Sequence, residues 1–301
     1  MADPQLMWHD SQLLLPLIGN HQAPHLMAAI ETVGMTGRPL GMLLHAWDFA
    51  PRPLSVAGLH DCTPYYAAHV FESRMMDLAE HGFLQPESGG YLLTDKGRAA
   101  AAAIEQASFN ALAELRPLPD ADLDRLVGCF SRLVAAARDN PATPDCPCLS
   151  DQAVPDRPYE SSYLGWVIEY ISDLYRYKCD CHTTAWRPTG VSGFAMEPFT
   201  FIWRDAVSTV AELVARAGQE RMGRGHTEED YAHFVAELAE RGWLTLAGGR
   251  FTLTHEGRAV RDRIEVETDA AFYSIFETLT PSELDDLSTL IVSLKTSLEI
   301  L

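Results

Sequence analysis

Two pairs of cysteines are the residues of this chain best equipped for chemistry. Cys146-Pro-Cys148 and Cys179-Asp-Cys181 supply four thiols, and His182 follows the second pair directly. Four thiolates in a tetrahedron suit zinc, and thiolates also suit Cu(I). Paired zinc ligands usually have two or more residues between them, so a one-residue gap is a weaker signal than Cys-x-x-Cys. Two readings stand. One is a shared zinc or copper site made from Cys146, Cys148, Cys179, Cys181 and His182. The other is ordinary reduced thiols that lie apart. Cys62 and Cys129 sit in apolar helical surroundings and read as small core residues.

A second group of side chains suits a small ligand. Asp180, His182, Trp186, Arg187 and Pro188 place a carboxylate, an imidazole, an indole and a guanidinium close together in sequence. Trp166, Tyr170 and Trp203 add flat apolar surfaces. A concave apolar site with a few polar groups is the usual form of a ligand site. Here Arg187 would hold an anionic group, and His182 would donate or accept near neutral pH. The competing reading of each aromatic is plain core packing. His25 and Trp47 mark an equivalent cleft earlier in the chain. His21 and His25 are spaced i, i+4, but Pro24 between them argues against a regular helix there. There is no Gly-x-Ser-x-Gly elbow, no phosphate-binding glycine loop and no His-Glu-x-x-His. A catalytic role would rest on His182 with Asp180. No reaction is specified, so the enzyme question stays open.

An internal repeat must position these residues. Leu78-Ala-Glu-His-Gly-Phe-Leu84 and Gly89-Gly-Tyr-Leu-Leu-Thr-Asp-Lys-Gly-Arg98 return as Leu238-Ala-Glu-Arg-Gly-Trp-Leu244 and Gly249-Arg-Phe-Thr-Leu-Thr-His-Glu-Gly-Arg258. Gly82 pairs with Gly242, Thr94 with Thr254 and Gly97 with Gly257, all without a gap. Upstream, Gly34-Met-Thr-Gly37 with Trp47 answers Gly190-Val-Ser-Gly193 with Trp203. Repetition on this scale predicts two copies of one domain.

Each copy reads as an amphipathic helix ended by Gly, a short strand, a Gly-rich turn, a second strand and a long helix. That is the core of a winged helix. In the first copy, Leu54 to His60 and Tyr65 to His81 are the predicted helix-turn-helix, with Thr63-Pro64 at the second start. In the second copy, Ser208 to Ala217 and Thr227 to Arg241 play those parts, and Thr227-Glu-Glu-Asp230 is close to a capping box. Asp10 to Asn20 and Ala28 to Val33 read as separate short helices. Tyr159 to Lys178 reads as an aromatic-rich helix opening the second half.

The Thr-x-x-Gly-Arg run after each wing, and Leu279-Thr-Pro-Ser-Glu-Leu-Asp-Asp-Leu287, resemble the MarR family of regulators. The resemblance implies a mainly α fold with small β-hairpin wings, two winged-helix units packed as an intramolecular MarR-like pseudo-dimer. The first half is residues 1–139, a Pro/Asp/Cys-rich linker loop is 140–158, and the second half is 159–301. MarR proteins commonly bind small aromatic ligands and DNA. With the cysteines, the favoured expectation is a sensor or sequestering protein that binds an aromatic ligand, as the resemblance implies, or a thiophilic metal. A DNA-binding MarR-type regulator is the alternative, and a repurposed winged-helix enzyme of unspecified reaction is the third. It also implies either a monomer that is itself a pseudo-dimer or a homodimer.

Charge weighs against DNA. Lys and Arg total 23 against 42 Asp and Glu, for a formal net charge of -19, whereas DNA affinity depends on basic groups that neutralise phosphate. The groove-entering end of the second recognition helix would be Glu228, Glu229 and Asp230. The DNA-facing candidates reduce to Tyr65, Tyr66, His69 and Arg74 in the first copy and Arg250 at the second wing tip. No apolar run approaches the roughly 18 residues of a membrane span, and the N-terminus lacks a signal-peptide layout. The expectation is a soluble cytoplasmic protein whose cysteines stay reduced.

Overall fold

In the computed structural model, residues 2–113, 115–143, 147–150, 162–204, 206–218 and 224–301 are described. They are mainly helical, with two small antiparallel hairpins. By their contacts they form two compact units. One holds Met1–Leu54, Asp77–Asp180 and Ala270–Leu301; the other holds Ser55–Met76 and Cys181–Asp269. Each unit thus draws residues from both copies of the repeat.

In the first unit, α1 (Pro4–Thr32) packs along α5 (Asp95–Ala113) and α13 (Pro281–Ile300). The two short helices expected at the N-terminus are one, running through Pro16 and Pro24. A proline removes one backbone hydrogen bond and crowds the preceding turn. Both prolines lie on the exposed face, while Met7, Trp8, Ser11, Leu14 and Ile18 form a buried stripe at helical spacing. Packing of that stripe outweighs the proline penalty. Trp8 meets Phe272 edge-on, with centroids 5.0 Å apart. α6 (Asp120–Arg138) packs on α13, and α8 (Tyr163–Trp186) continues past Lys178, so Cys179, Cys181, His182 and Trp186 are all helical. The linker, expected as loop, contains one helical turn, α7 (Pro147–Ser150). Buried Asp180 fixes it, accepting from the Cys148 and Leu149 amides at 3.0 Å each. Its carboxylate thereby satisfies two donors at a helix start that would otherwise be orphaned.

The second unit contains α3 (Val56–Cys62), the start of α4 (Ala68–Glu80), α9 (Gly193–Trp203), α10 (Val210–Gly218), α11 (Glu228–Glu240), the hairpin β3–β4 (Leu244–Ala247 and Arg250–Leu253) and most of α12 (His255–Tyr273). Its core stacks Phe199 on Trp243, 5.1 Å between centroids. The Thr227 capping box forms with Asp230 supplying the returning carboxylate. Gly248 and Gly249 both take positive φ, as a two-residue hairpin turn requires.

The two hairpins share one register: β1 (Leu84–Glu87) pairs with β2 (Gly90–Leu93) as β3 pairs with β4. The contacts closing each hairpin also match. Thr94 Oγ1 donates to the Gly82 carbonyl at 2.7 Å, and Thr254 Oγ1 to that of Gly242 at 2.8 Å. A Cβ on Gly97 would lie 2.1 Å from the Phe83 carbonyl oxygen, and one on Gly257 2.3 Å from that of Trp243. Only glycine lets strand and helix approach so closely. Among the described residues, no helix is long and apolar enough to cross a membrane.

Candidate functional site

The reading helices come first. α4 starts at Ala68, three residues later than its sequence suggests, because Pro64 to Tyr66 form a turn. Tyr65 and Tyr66 therefore precede the recognition helix, and Tyr66 is buried against Phe71, 5.3 Å between centroids. Its carbonyl lies 2.8 Å from His60 Nε2. Buried tyrosine cannot read a base edge, so of the four candidates in the first copy His69 and Arg74 remain on the helix, with His69 exposed. In the second copy, Glu228, Glu229, Ala232, His233 and Glu240 make up the exposed side of α11. Asp230 is held below the usual carboxylate range by the Thr227 amide and hydroxyl, with smaller help from His226 and His69. Arg250 at the wing tip donates to Ser208 Oγ.

The ligand candidates are spread along α8 and beyond it. Trp166 stacks on Tyr170 with centroids 5.3 Å apart. Trp186 is twenty residues further along the same helix, about 30 Å at 1.5 Å per residue. It belongs to the buried core of the second unit. His182 is half-buried, with Nδ1 3.3 Å from Thr268 Oγ1. Arg187 is exposed, with a guanidinium nitrogen 3.7 Å from Asp61. His25 is exposed on α1, and the unbroken helix does put it on the face of His21.

Trp47 and Trp203 differ from each other. Trp203 Nε1 donates to Asp262 at 2.7 Å, and the Arg261 guanidinium lies 4.7 Å from its ring centre. Trp47 Nε1 donates to Glu105 at 3.0 Å. Beside it opens a groove of about 500 Å³ lined by Trp47, Ala50, Pro51, Arg98, Ala99 and Ala102. The repeat places Ala102 where the second copy has Asp262.

Cys146 lies outside the described residues. Cys148 and Cys181 are buried, and Cys179 is half-buried. Cys179 and Cys181 stand two residues apart on a helix, so their side chains diverge by about 200°. Among the described residues, no group of three or more His, Cys, Asp or Glu side chains is arranged to hold a metal.

A charged cluster in the first unit was missed by sequence reasoning. Arg176 on α8 lies 2.8 Å from Asp173, 3.6 Å from Asp48 and 3.8 Å from Glu169. Arg138 approaches Asp173 at 3.5 Å. Burial first, and Glu169 second, push the Asp173 carboxyl up, against the pull of Arg176. On α2 (Leu40–Phe49), His45 falls to about 4, chiefly through burial and then through the Arg176 charge. The available signal was Glu169, Asp173 and Arg176 at i, i+4, i+7 on the inward side of α8.

A helix-turn-helix family matches residues 170–299. No curated protein and no solved structure matches the chain. The matched stretch holds α9 to α12 and the second hairpin complete, so the chain carries a helix-turn-helix of the winged type.

Proposed function

We propose that this chain is a helix-turn-helix transcriptional regulator that contacts DNA through the winged helix of its second copy. The observation supporting it is the whole winged helix, α10, α11, β3–β4 and α12, inside the stretch matched to a helix-turn-helix family. The MarR resemblance supports it further, and with both copies on one chain a monomeric mass in solution is expected. Glu228 and Glu229 at the groove-entering end repel phosphate, so binding is weak, and the share that basic side chains contribute is lost as salt rises. Fluorescence anisotropy with the upstream region of its own gene, at about 50 and about 200 mM salt, tests this. Binding at the lower salt that is lost at the higher is the expected result. No binding at either, with Glu228→Gln/Glu229→Gln equally inert, would remove the DNA reading.

A second reading follows from the groove beside Trp47. Its walls are an indole, a proline ring and alanine methyls, with exposed Arg98 among the lining residues. Such a surface suits a planar aromatic carboxylate. Quenching of tryptophan fluorescence by 2-naphthoate, abolished in Arg98→Ala, supports this reading. Equal quenching in parent and variant would place the ligand elsewhere.

A further inference from the structure

The start of α4 is packed in part against residues of the second copy within the same unit: Ala67 and Val70 are half-buried, while His69 is exposed. The Ala67 amide, which precedes the first turn of α4, donates to the Arg224 carbonyl at 2.9 Å. Free amides at a helix start are the donors that meet phosphate in nucleic-acid complexes, and this one is occupied. The Arg224 guanidinium lies 4.4 Å from the Tyr66 ring centre and is held by Glu197 at 2.8 Å. His226 Nε2 is 2.9 Å from the Tyr65 carbonyl. Between them Gly225, at φ +79°, lies against α4 itself. A Cβ there would come within 2.3 Å of Val70 Cγ2 and 3.0 Å of His69 Nε2. Three consecutive residues thus hold the approach to α4 by a backbone hydrogen bond, a cation–π contact, a ring–carbonyl contact and close packing.

We propose that Arg224, Gly225 and His226 form an autoinhibitory strap over the first reading helix, which must lift before α4 can enter a groove. The proposal rests on the DNA-binding reading above. It adds that the first copy is silenced by the second, so the closed protein presents DNA with one reading helix rather than two. The strap also commits Arg224 to Glu197 and Tyr66, withdrawing a cation from any phosphate.

Two variants lift the strap by different physics. Arg224→Ala removes the guanidinium anchor. Gly225→Ala forces a Cβ into Val70 at a backbone angle that L residues rarely adopt. In both, the Ala67 amide is expected to exchange with deuterium faster than in the parent while circular dichroism is unchanged. Anisotropy of a fluorescein-labelled upstream duplex at low salt should then show about ten-fold tighter binding, the gain when a cover closed in about nine molecules of ten is removed. Faster exchange with unchanged DNA affinity overturns the strap, as does unchanged exchange in both variants. Glu228→Gln/Glu229→Gln on α11 separates the two ideas. If that variant gains affinity and the strap variants do not, the DNA reading stands and the strap falls. If no form binds DNA, both fall.

Discussion

Asp262 holds the indole of Trp203 by a hydrogen bond of 2.7 Å, and the equivalent position beside Trp47 is Ala102. Trp47 is held instead by Glu105 at 3.0 Å, and beside it Ala102 puts only a methyl into the groove. Transplanting the second copy's residue closes it. Ala102→Asp is expected to weaken 2-naphthoate quenching by about ten-fold or more, since a carboxylate there repels an anion and fills apolar space. Unchanged quenching would mean the groove is not the binding surface. The reverse change, Asp262→Ala, should leave the affinity as it was.

His45 makes stability depend on pH in a defined window. Its pKa is about 4 in the fold against an ordinary 6.5, so between those values the unfolded chain binds the proton and the fold does not. Stability therefore falls as pH drops from about 6.5 to about 4, by on the order of 3 kcal/mol from this group alone. His45→Gln should flatten that part of a urea-melt profile. An unchanged slope would show that His45 titrates normally.

Gly257 tests the close approach behind the second wing. Gly257→Ala drives a Cβ to 2.3 Å from the Trp243 carbonyl oxygen, a backbone atom that cannot swing aside. A loss of about 1–3 kcal/mol is expected by chemical denaturation. Gly128 on α6 is the control: exposed, with nothing near its missing Cβ. Gly128→Ala should gain up to about 1 kcal/mol of helix propensity. A neutral Gly257→Ala would mean the strand end yields.

The cysteines remain a proposal with a direct assay. A zinc or copper site would carry about one equivalent of metal through purification, lost in Cys179→Ser/Cys181→Ser. Because those two thiols diverge on α8, the single variants should then be unequal, with one retaining the metal. Metal-free protein with freely titratable thiols would leave ordinary cysteines. Asp180→Asn is a useful companion: it frees the Cys148 and Leu149 amides while sparing every thiol.

The wings were legible because their glycines and threonines are fixed by backbone geometry. A Cβ at Gly97 or Gly257 would meet a backbone carbonyl, and Thr94 and Thr254 close the same bonds behind each hairpin. The single helix α1 was not legible, since Pro16 and Pro24 locally argue against it and only distant partners argue for it. Tyr65 and Tyr66 were misplaced by a Thr-Pro signal that marks a turn here. The strap was invisible for a different reason. Arg224-Gly-His226 carries no periodicity, and its role comes from residues about 160 positions away. The α8 cluster hid among aromatics because its charges face inward and answer one another.

The helix α1 holds one last consequence. With two prolines and no basic residue in its final turn, residues 4–32 have poor reason to be helical by themselves. Their helix exists because α5 and α13 offer a surface for Met7, Trp8, Leu14 and Ile18. Synthesised as a free peptide, the segment would be largely unstructured in water. It would coil only on meeting its template. Its helicity is therefore set by residues far along the sequence, on α5 and α13, and not by its own.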